Sequence, residues 1–207
     1  WRADCYEEGE KVEKVLEMLR TINDRLGQIP LLFTFRTAGE GGCREILFEN
    51  YVKLLNAAAE TGLVQLTDVE IFFREESSGE LVKQLQEKGV KVVASNHHFE
   101  GTPPKEALYE SLDRMYDSGA DILKMAVMPG QFKDLLSLLE VTREAADKYD
   151  RPLITMSMGE TGFLSRICGE ITGSALTFAA GRNASAPGQA GAENMRNILK
   201  NIHESLS

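Results

Sequence analysis

Residues 121–129 read Asp-Ile-Leu-Lys-Met-Ala-Val-Met-Pro, a short and almost wholly apolar run ended by proline. A continuous apolar run of that length, bounded by turn formers, describes a buried β-strand. Lys124 stands in the middle of it. Burying an ammonium is costly, because desolvation disfavours the charged form and lowers the pKa. A neutral amine is what attack on a carbonyl carbon requires. Lys124 therefore has two readings. In one, its stem lies along apolar surface and its head reaches water or a carboxylate. In the other, it is a nucleophile. The strand by itself favours the first, since structural lysines outnumber catalytic ones.

The same kind of element recurs on both sides. Downstream, the pattern predicts a helix over 131–149, a strand over 152–157, a short helix over 164–170 and a strand over 174–179. A polar loop over 181–191, bearing glycine and proline, then leads to a helix over 192–206. Upstream, a helix follows Thr102-Pro103-Pro104 and closes at Gly119, after a strand over 90–95 that runs into Asn96, His97 and His98. Before it come a helix over 78–88 stopped by Gly89, a strand over 66–72, and a helix over 48–61 with Gly62 as its cap. A strand over 30–36 ends in the turn Gly39-Glu40-Gly41-Gly42. An amphipathic helix over 8–26 has apolar residues at Val12, Val15, Leu16, Leu19 and Ile22, and residues 1–4 read as the end of a further strand.

Seven strands alternating with helices predict an α/β fold with a parallel sheet. An eight-stranded (β/α)₈ TIM barrel typically takes about 250 residues. The 207 residues are therefore expected to form a single barrel domain over 1–207, N-terminally incomplete and lacking its first strand-helix unit. A doubly wound sheet is the competing architecture. It would carry a glycine-rich phosphate loop after an early strand, and the spacing of Gly39, Gly41 and Gly42 does not supply one.

Composition narrows the function classes. A net charge of -9 with no basic stretch argues against nucleic acid as a partner, and no apolar run is long enough to span a membrane. Cys5, Cys43 and Cys168 are widely scattered, which suits a reducing cytoplasm better than a disulfide framework, and their spacing does not suggest a metal site.

In a barrel of this kind, chemistry gathers at the C-terminal ends of the strands. Arg36 ends one strand and Glu40 lies in the loop after it. Glu70 is late in the next strand, His97 and His98 lie just past the following one, and Lys124 is inside the one after that. Arg166 and the loop over 184–189, with Ser185 and Gln189, follow the last two strands. Each has a plainer reading. A histidine at a strand end is usually a structural hydrogen-bonding residue, and alternation lets only one of His97 and His98 face a pocket. Glu40 would serve as a helix cap, and Arg166 would pair with Glu170 at helical spacing. His203, on a polar terminal helix, reads as solvated.

Taken together, Pro30-Leu-Leu-Phe-Thr-Phe-Arg36 with Glu40-Gly41-Gly42, Asp68-Val-Glu70, Ser95-Asn-His97, Lys124-Met-Ala-Val-Met-Pro129, Thr155-Met-Ser-Met158 with Ser165-Arg166, and Ala184-Ser-Ala-Pro-Gly-Gln189 resemble type I 3-dehydroquinate dehydratase. The likeness runs in order over nearly the whole chain. It implies a (β/α)₈ barrel enzyme, commonly a homodimer. Such an enzyme dehydrates 3-dehydroquinate to 3-dehydroshikimate in the shikimate pathway, which leads to the aromatic amino acids, without metal or organic cofactor.

The resemblance makes Lys124 the amine that forms an imine (Schiff base) with substrate, His97 the general acid and base, and Glu40 the residue that orients His97. It makes Arg166 the binder of the substrate carboxylate, for which a planar guanidinium suits bidentate pairing. Ser185 and Gln189 would belong to a loop closing over substrate, and Arg2 and Arg36 would line the pocket. Two departures stand out. A pocket glutamate that precedes the tryptophan aligned with Trp1 has no counterpart here, and His98 replaces the usual aspartate or asparagine. Two further readings stay open: a class I aldolase-like lyase using the same lysine, and a non-catalytic truncated fragment or binding protein of the same fold.

Overall fold

A computed structural model describes all residues from Trp1 to Ser207. The chain divides into two compact units, Trp1–Asn96 with Asp113–Leu123, and His97–Leu112 with Lys124–Ser207. The strands are β1 (Leu32–Phe33), β2 (Leu66–Glu70), β3 (Lys91–His98), β4 (Ile122–Val127) and β5 (Leu153–Ser157). The longer helices are α1 (Val12–Leu26), α2 (Phe48–Glu60), α3 (Glu75–Glu87), α4 (Lys105–Asp117) and α5 (Phe132–Lys148). Two short ones, α6 (Phe163–Ile167) and α7 (Gly169–Thr172), precede α8 (Ala192–Leu206).

In the first unit β1 pairs in parallel with β2, placing Leu32 beside Leu66, and β2 pairs in parallel with β3, placing Glu70 beside Ser95. The start of β4 follows, with Asp121 donating its N–H to the Val92 carbonyl. Residues 67–70 of β2 are all buried, as a parallel sheet covered on both faces requires. The α1 and α2 helices bring Val15 and Leu19, and Tyr51, Leu54, Leu55, Ala58 and Ala59, to the core. Their amphipathic spacing supplies those faces, and burying each large apolar side chain is worth about 1.5–3 kcal/mol.

In the second unit the end of β3, most of β4 and all of β5 lie side by side, with Met128 donating to His98 O and Met158 to Val127 O. Every residue of β5 is buried. α5 opens on a capping box, Gln131 and Asp134 satisfying each other's backbone N–H groups. No helix is long and apolar enough to cross a membrane.

The structure departs from the sequence expectations in several elements: the helix expected from 78 begins at Glu75, the strand expected over 66–72 ends at Glu70, and the helix expected over 164–170 is split into α6 and α7. β3 runs on through His98, so both histidines are strand residues, because the Met128 N–H extends the ladder to the His98 carbonyl. The predicted strand over 30–36 is a two-residue ladder, since the Gln65 side chain takes the Leu31 N–H and the Asp4 carboxylate takes the Arg36 N–H. Thr34 instead forms a parallel bridge with Arg2, and the strand expected over residues 1–4 reduces to that bridge, because Ala3–Cys5 coils into a short 3₁₀ turn closed by the Tyr6 N–H on the Ala3 carbonyl. The strand over 174–179 reduces to one bridge from Ser174 to Leu153, because the Ser174 hydroxyl accepts the Thr155 N–H that a ladder would have used.

Candidate functional site

The second unit holds the lysine. Lys124, the third residue of β4, is 6% exposed, and its Nζ lies 2.8 Å from His97 Nε2. Position 124 falls in an apolar strand, so the amine is desolvated. The neighbouring imidazole is within proton-transfer reach. Phe178 covers Nζ at 5.6 Å from its ring centroid, and Phe99 stacks against His97 at 6.5 Å between centroids. Strand alternation sends His98 the other way. Its Nε2 is buried without a hydrogen-bond partner, and burial lowers its pKa.

Arg166, on α6, is 1% exposed and has no carboxylate partner. Its Nη2 donates to the Pro187 carbonyl at 2.9 Å, its Nη1 lies 3.7 Å from Met156 Sδ, and its Nε is buried without an acceptor. Burial pushes this guanidinium below its ordinary range. A buried, uncompensated cation is a standing demand for an anion. The helical pairing of Arg166 with Glu170 does not form; Glu170 bonds His203 Nδ1 at 2.7 Å instead.

The loop over 184–189 is tied to Arg166 through its backbone. Pro187 O accepts from both Arg166 Nη2 and the Gly159 N–H. A Cβ on Gly188 would sit 2.3 Å from Gly159 O, and Gly188 has φ +76°, so only glycine lets the two turns touch. Ser185 and Gln189 are bonded to each other, with the Ser185 N–H donating to Gln189 Oε1 at 2.8 Å.

The first unit holds a charged cluster. Arg36, 3% exposed, donates from Nη1 to Glu70 (2.8 Å), Ser95 (3.0 Å) and Glu40 (3.2 Å), and from Nη2 to Asp68 (2.7 Å). Burial works against this cation, but Asp68, Glu70 and Glu40 outweigh it and raise its pKa. Glu70 also takes the Thr37 N–H and hydroxyl at 2.8 and 2.6 Å. Burial raises its pKa nonetheless, ahead of the opposing pull of Arg36. Glu40 closes the short 3₁₀ turn Ala38–Glu40, and its Oε1 accepts from Asn96 Nδ2 at 3.3 Å. That turn folds tightly onto the preceding strand, where a Cβ on Gly42 would lie 1.9 Å from Arg36 O.

Arg2 is paired with Asp4, Nε to Oδ1 at 2.7 Å and Nη2 to Oδ2 at 2.6 Å. Asp4 also receives the N–H groups of Arg36 and Cys43, both at 3.1 Å. Burial alone would raise the Asp4 pKa, but these donors reverse the sign and lower it. A depressed carboxyl pKa contributes stability that is present above the ordinary aspartate pKa of about 3.9 and is lost as pH falls through the folded value. Asp4→Asn is expected to cost roughly 1.5–3 kcal/mol at pH 7, the range for hydrogen bonds to a charged group, and much less near pH 2. Urea midpoints of the two chains at both pH values check this; a cost that does not shrink with acidity rejects the ionic account.

Sequence reasoning missed the partners more than the principals. Phe178 lies in no motif, and Met156 and Asn96 lie inside motifs without a chemical role of their own to mark them. Asp4 had a signal, since two residues along an extended segment point to one side, but a carboxylate beside an arginine is too common to single out.

The comparisons agree on one family. A family model described as Type I 3-dehydroquinase matches residues 1–206. A 3-dehydroquinate dehydratase of Clostridium novyi (strain NT) is 47% identical over 207 residues, covering 100% of this chain and 82% of that protein. The crystal structure of a type I 3-dehydroquinate dehydratase from Clostridium difficile with covalently modified comenic acid superposes with a TM-score of 0.95 at 47% identity, covering 99% of this chain and 81% of that one. The structure of 3-dehydroquinate dehydratase from Geobacillus kaustophilus HTA426 gives a TM-score of 0.94 at 38% identity, covering 99% and 79%. The fold is accordingly the α/β, TIM-barrel fold of these enzymes. In sequence and in structure alike, this chain belongs to the type I 3-dehydroquinase family, whose members are lyases of the dehydratase kind.

Proposed function

We propose that this chain dehydrates 3-dehydroquinate to 3-dehydroshikimate and water through an imine on Lys124, a step of the shikimate pathway. The observation that carries the reading is the contact of Lys124 Nζ, on a 6% exposed residue, with His97 Nε2 at 2.8 Å. The unneutralised Arg166 in the same unit supports a carboxylate-bearing substrate.

Lys124 Nζ adds to the substrate ketone, and His97 delivers the proton that lets the carbinolamine oxygen leave as water. The protonated imine withdraws electrons from the adjacent carbon and acidifies it. A base, again His97 in this reading, removes that proton; the electrons form the new double bond and the neighbouring hydroxyl departs as water, protonated as it leaves. Hydrolysis returns the ketone and the free amine. Arg166 holds the carboxylate throughout, and Ser185 and Gln189 close over the substrate with the loop that Arg166 already grips. Glu40, bonded to the residue that precedes His97 in the chain, is assigned a positioning role. Arg2 and Arg36 are assigned to the pocket wall, each with its guanidinium plane fixed by carboxylates. The same reading makes the protein a cytoplasmic homodimer.

Borohydride reduction in the presence of 3-dehydroquinate tests this. A stable adduct is expected on the peptide carrying Lys124, and a folded sample without one rejects the imine. His97→Ala is expected to lower kcat by about 10²–10⁴-fold, the usual reach of general acid–base catalysis, while a slow adduct still forms. Unchanged turnover in that variant would remove His97 from the acid–base role.

A further inference from the structure

Cys5 and Cys43 lie 38 residues apart in the chain, yet their sulfurs are 3.3 Å apart. Both residues are exposed, whereas Cys168 is buried. The backbone around them is held independently of the sulfurs. Asp4, next to Cys5, accepts the Cys43 N–H at 3.1 Å and the Arg36 N–H at 3.1 Å, and the Ala3 N–H donates to Thr34 O at 2.8 Å. A disulfide needs its sulfurs about 2.05 Å apart. The remaining gap is about 1.25 Å between the sulfurs, and the two backbones are already clamped beside each other.

Asp4 and the two cysteines also present ligand atoms within 4.8 Å of one another, the arrangement a soft cation would use. The carboxylate, however, is fully engaged: Oδ1 takes Arg2 Nε and the Arg36 N–H, and Oδ2 takes Arg2 Nη2, the Cys43 N–H and the Cys5 thiol at 3.7 Å. Metal binding would have to break an ion pair inside the fold. Oxidation of the thiols leaves every one of those donors except the thiol in place.

We propose that Cys5 and Cys43 form an oxidisable dithiol, which peroxide converts into a reversible disulfide stapling the Ala3–Cys5 turn to the chain just beyond the Glu40 turn. Burial first, then the contact with Cys43 and the Asp4 charge, push the Cys5 thiol up to about 11 and disfavour its thiolate, and the exposed Cys43 sulfur is open to solvent oxidant. The Cys43 thiolate attacks one peroxide oxygen, the O–O bond breaks, and hydroxide leaves; Cys43 becomes a sulfenic acid. The Cys5 sulfur then attacks the Cys43 sulfur, the S–O bond breaks, and the Cys5 proton leaves with the hydroxide as water. Two thiols lose two electrons and two protons, and one peroxide becomes two waters.

The test treats the full chain with hydrogen peroxide, blocks residual thiols, and maps peptides without reduction. The expected result is a loss of two of the three titratable thiols, one peptide pair joining Cys5 to Cys43 within a single chain, return of both thiols with dithiothreitol, and a higher Tm for the oxidised form. In Cys5→Ser, dimedone should trap a sulfenic acid on Cys43, and the peroxide-induced rise in Tm should vanish. Cys43→Ser should leave Cys5 unmodified at the same dose. The proposal is overturned if both sulfurs go to sulfinic acid without cross-linking, if the disulfide joins two chains or involves Cys168, or if one equivalent of zinc binds at this site and shields both thiols. Rapid sulfenation of Cys5 in the Cys43→Ser chain overturns the order of attack.

Discussion

Lys124→Met is expected to abolish both turnover and borohydride trapping with 3-dehydroquinate while leaving the chain folded. Methionine keeps the length and volume of the stem, so β4 stays packed, and volume-conserving changes in a core usually cost less than about 1.5 kcal/mol. What disappears is the amine. In the proposed reaction, removing the nucleophile from a group of residues that act as a unit should lower kcat on the order of 10⁶-fold, because His97 and Arg166 would then orient a substrate that nothing attacks. The measurement is steady-state turnover beside mass spectrometry of the reduced sample, with circular dichroism as the folding control. Residual activity within about a hundredfold of the parent chain would mean that the imine is not on the main route, since general acid–base groups alone contribute roughly 10²–10⁴-fold. The contact of 2.8 Å with His97 is why the loss should be specific.

Arg36→Met is expected to be the most destabilising single change in the first unit. The side chain is 3% exposed and holds Asp68, Glu70 and Glu40, of which Asp68 and Glu70 are themselves at most 2% exposed. Deleting the cation strands carboxylates in a low-dielectric interior, which costs about 3–5 kcal/mol in comparable buried networks. Against a total stability of about 5–15 kcal/mol, that is a large share. The pH dependence gives a sharper check. The Glu70 carboxyl is already held above its ordinary value by burial against the pull of Arg36; without Arg36 it rises further, so the penalty is full at pH 7 and shrinks as pH falls through the raised value and the carboxyl protonates. Denaturant midpoints at pH 4.5 and pH 7 should therefore converge with those of the parent chain at the lower pH. A penalty independent of pH would point to lost packing in place of lost charge. Adding Glu70→Gln should recover part of the loss, since it removes one of the stranded charges.

Much of the fold was legible because helix faces and strand runs are local properties. The 3.6-residue spacing of Val15 and Leu19, the glycine stops at Gly62, Gly89 and Gly119, and the apolar run around Lys124 each depend on a few neighbours in the chain. Where side chains compete with the backbone, the local reading gave way. The Ser174 hydroxyl and the Gln65 amide each took an N–H or its place in a ladder, and a strand shortened to a bridge or two residues. The histidines moved from loop to strand for the converse reason, a backbone bond from the Met128 N–H that no periodicity announces.

For the site, the sequence by itself determined which residue types were available and, through ordered motifs, the family they resemble. Lys124, His97 and Arg166 could be named from the chain alone. Their physical state could not. That the amine lies against one particular imidazole 27 residues away, that Arg166 is buried with no carboxylate, and that Arg36 is spent on carboxylates are outcomes of packing. So is the meeting of Cys5 and Cys43, which read as unrelated thiols until the Asp4 carboxylate drew their two segments together. Proximity between distant segments is set by the sum of many weak contacts over the whole fold, and that sum exists only in three dimensions.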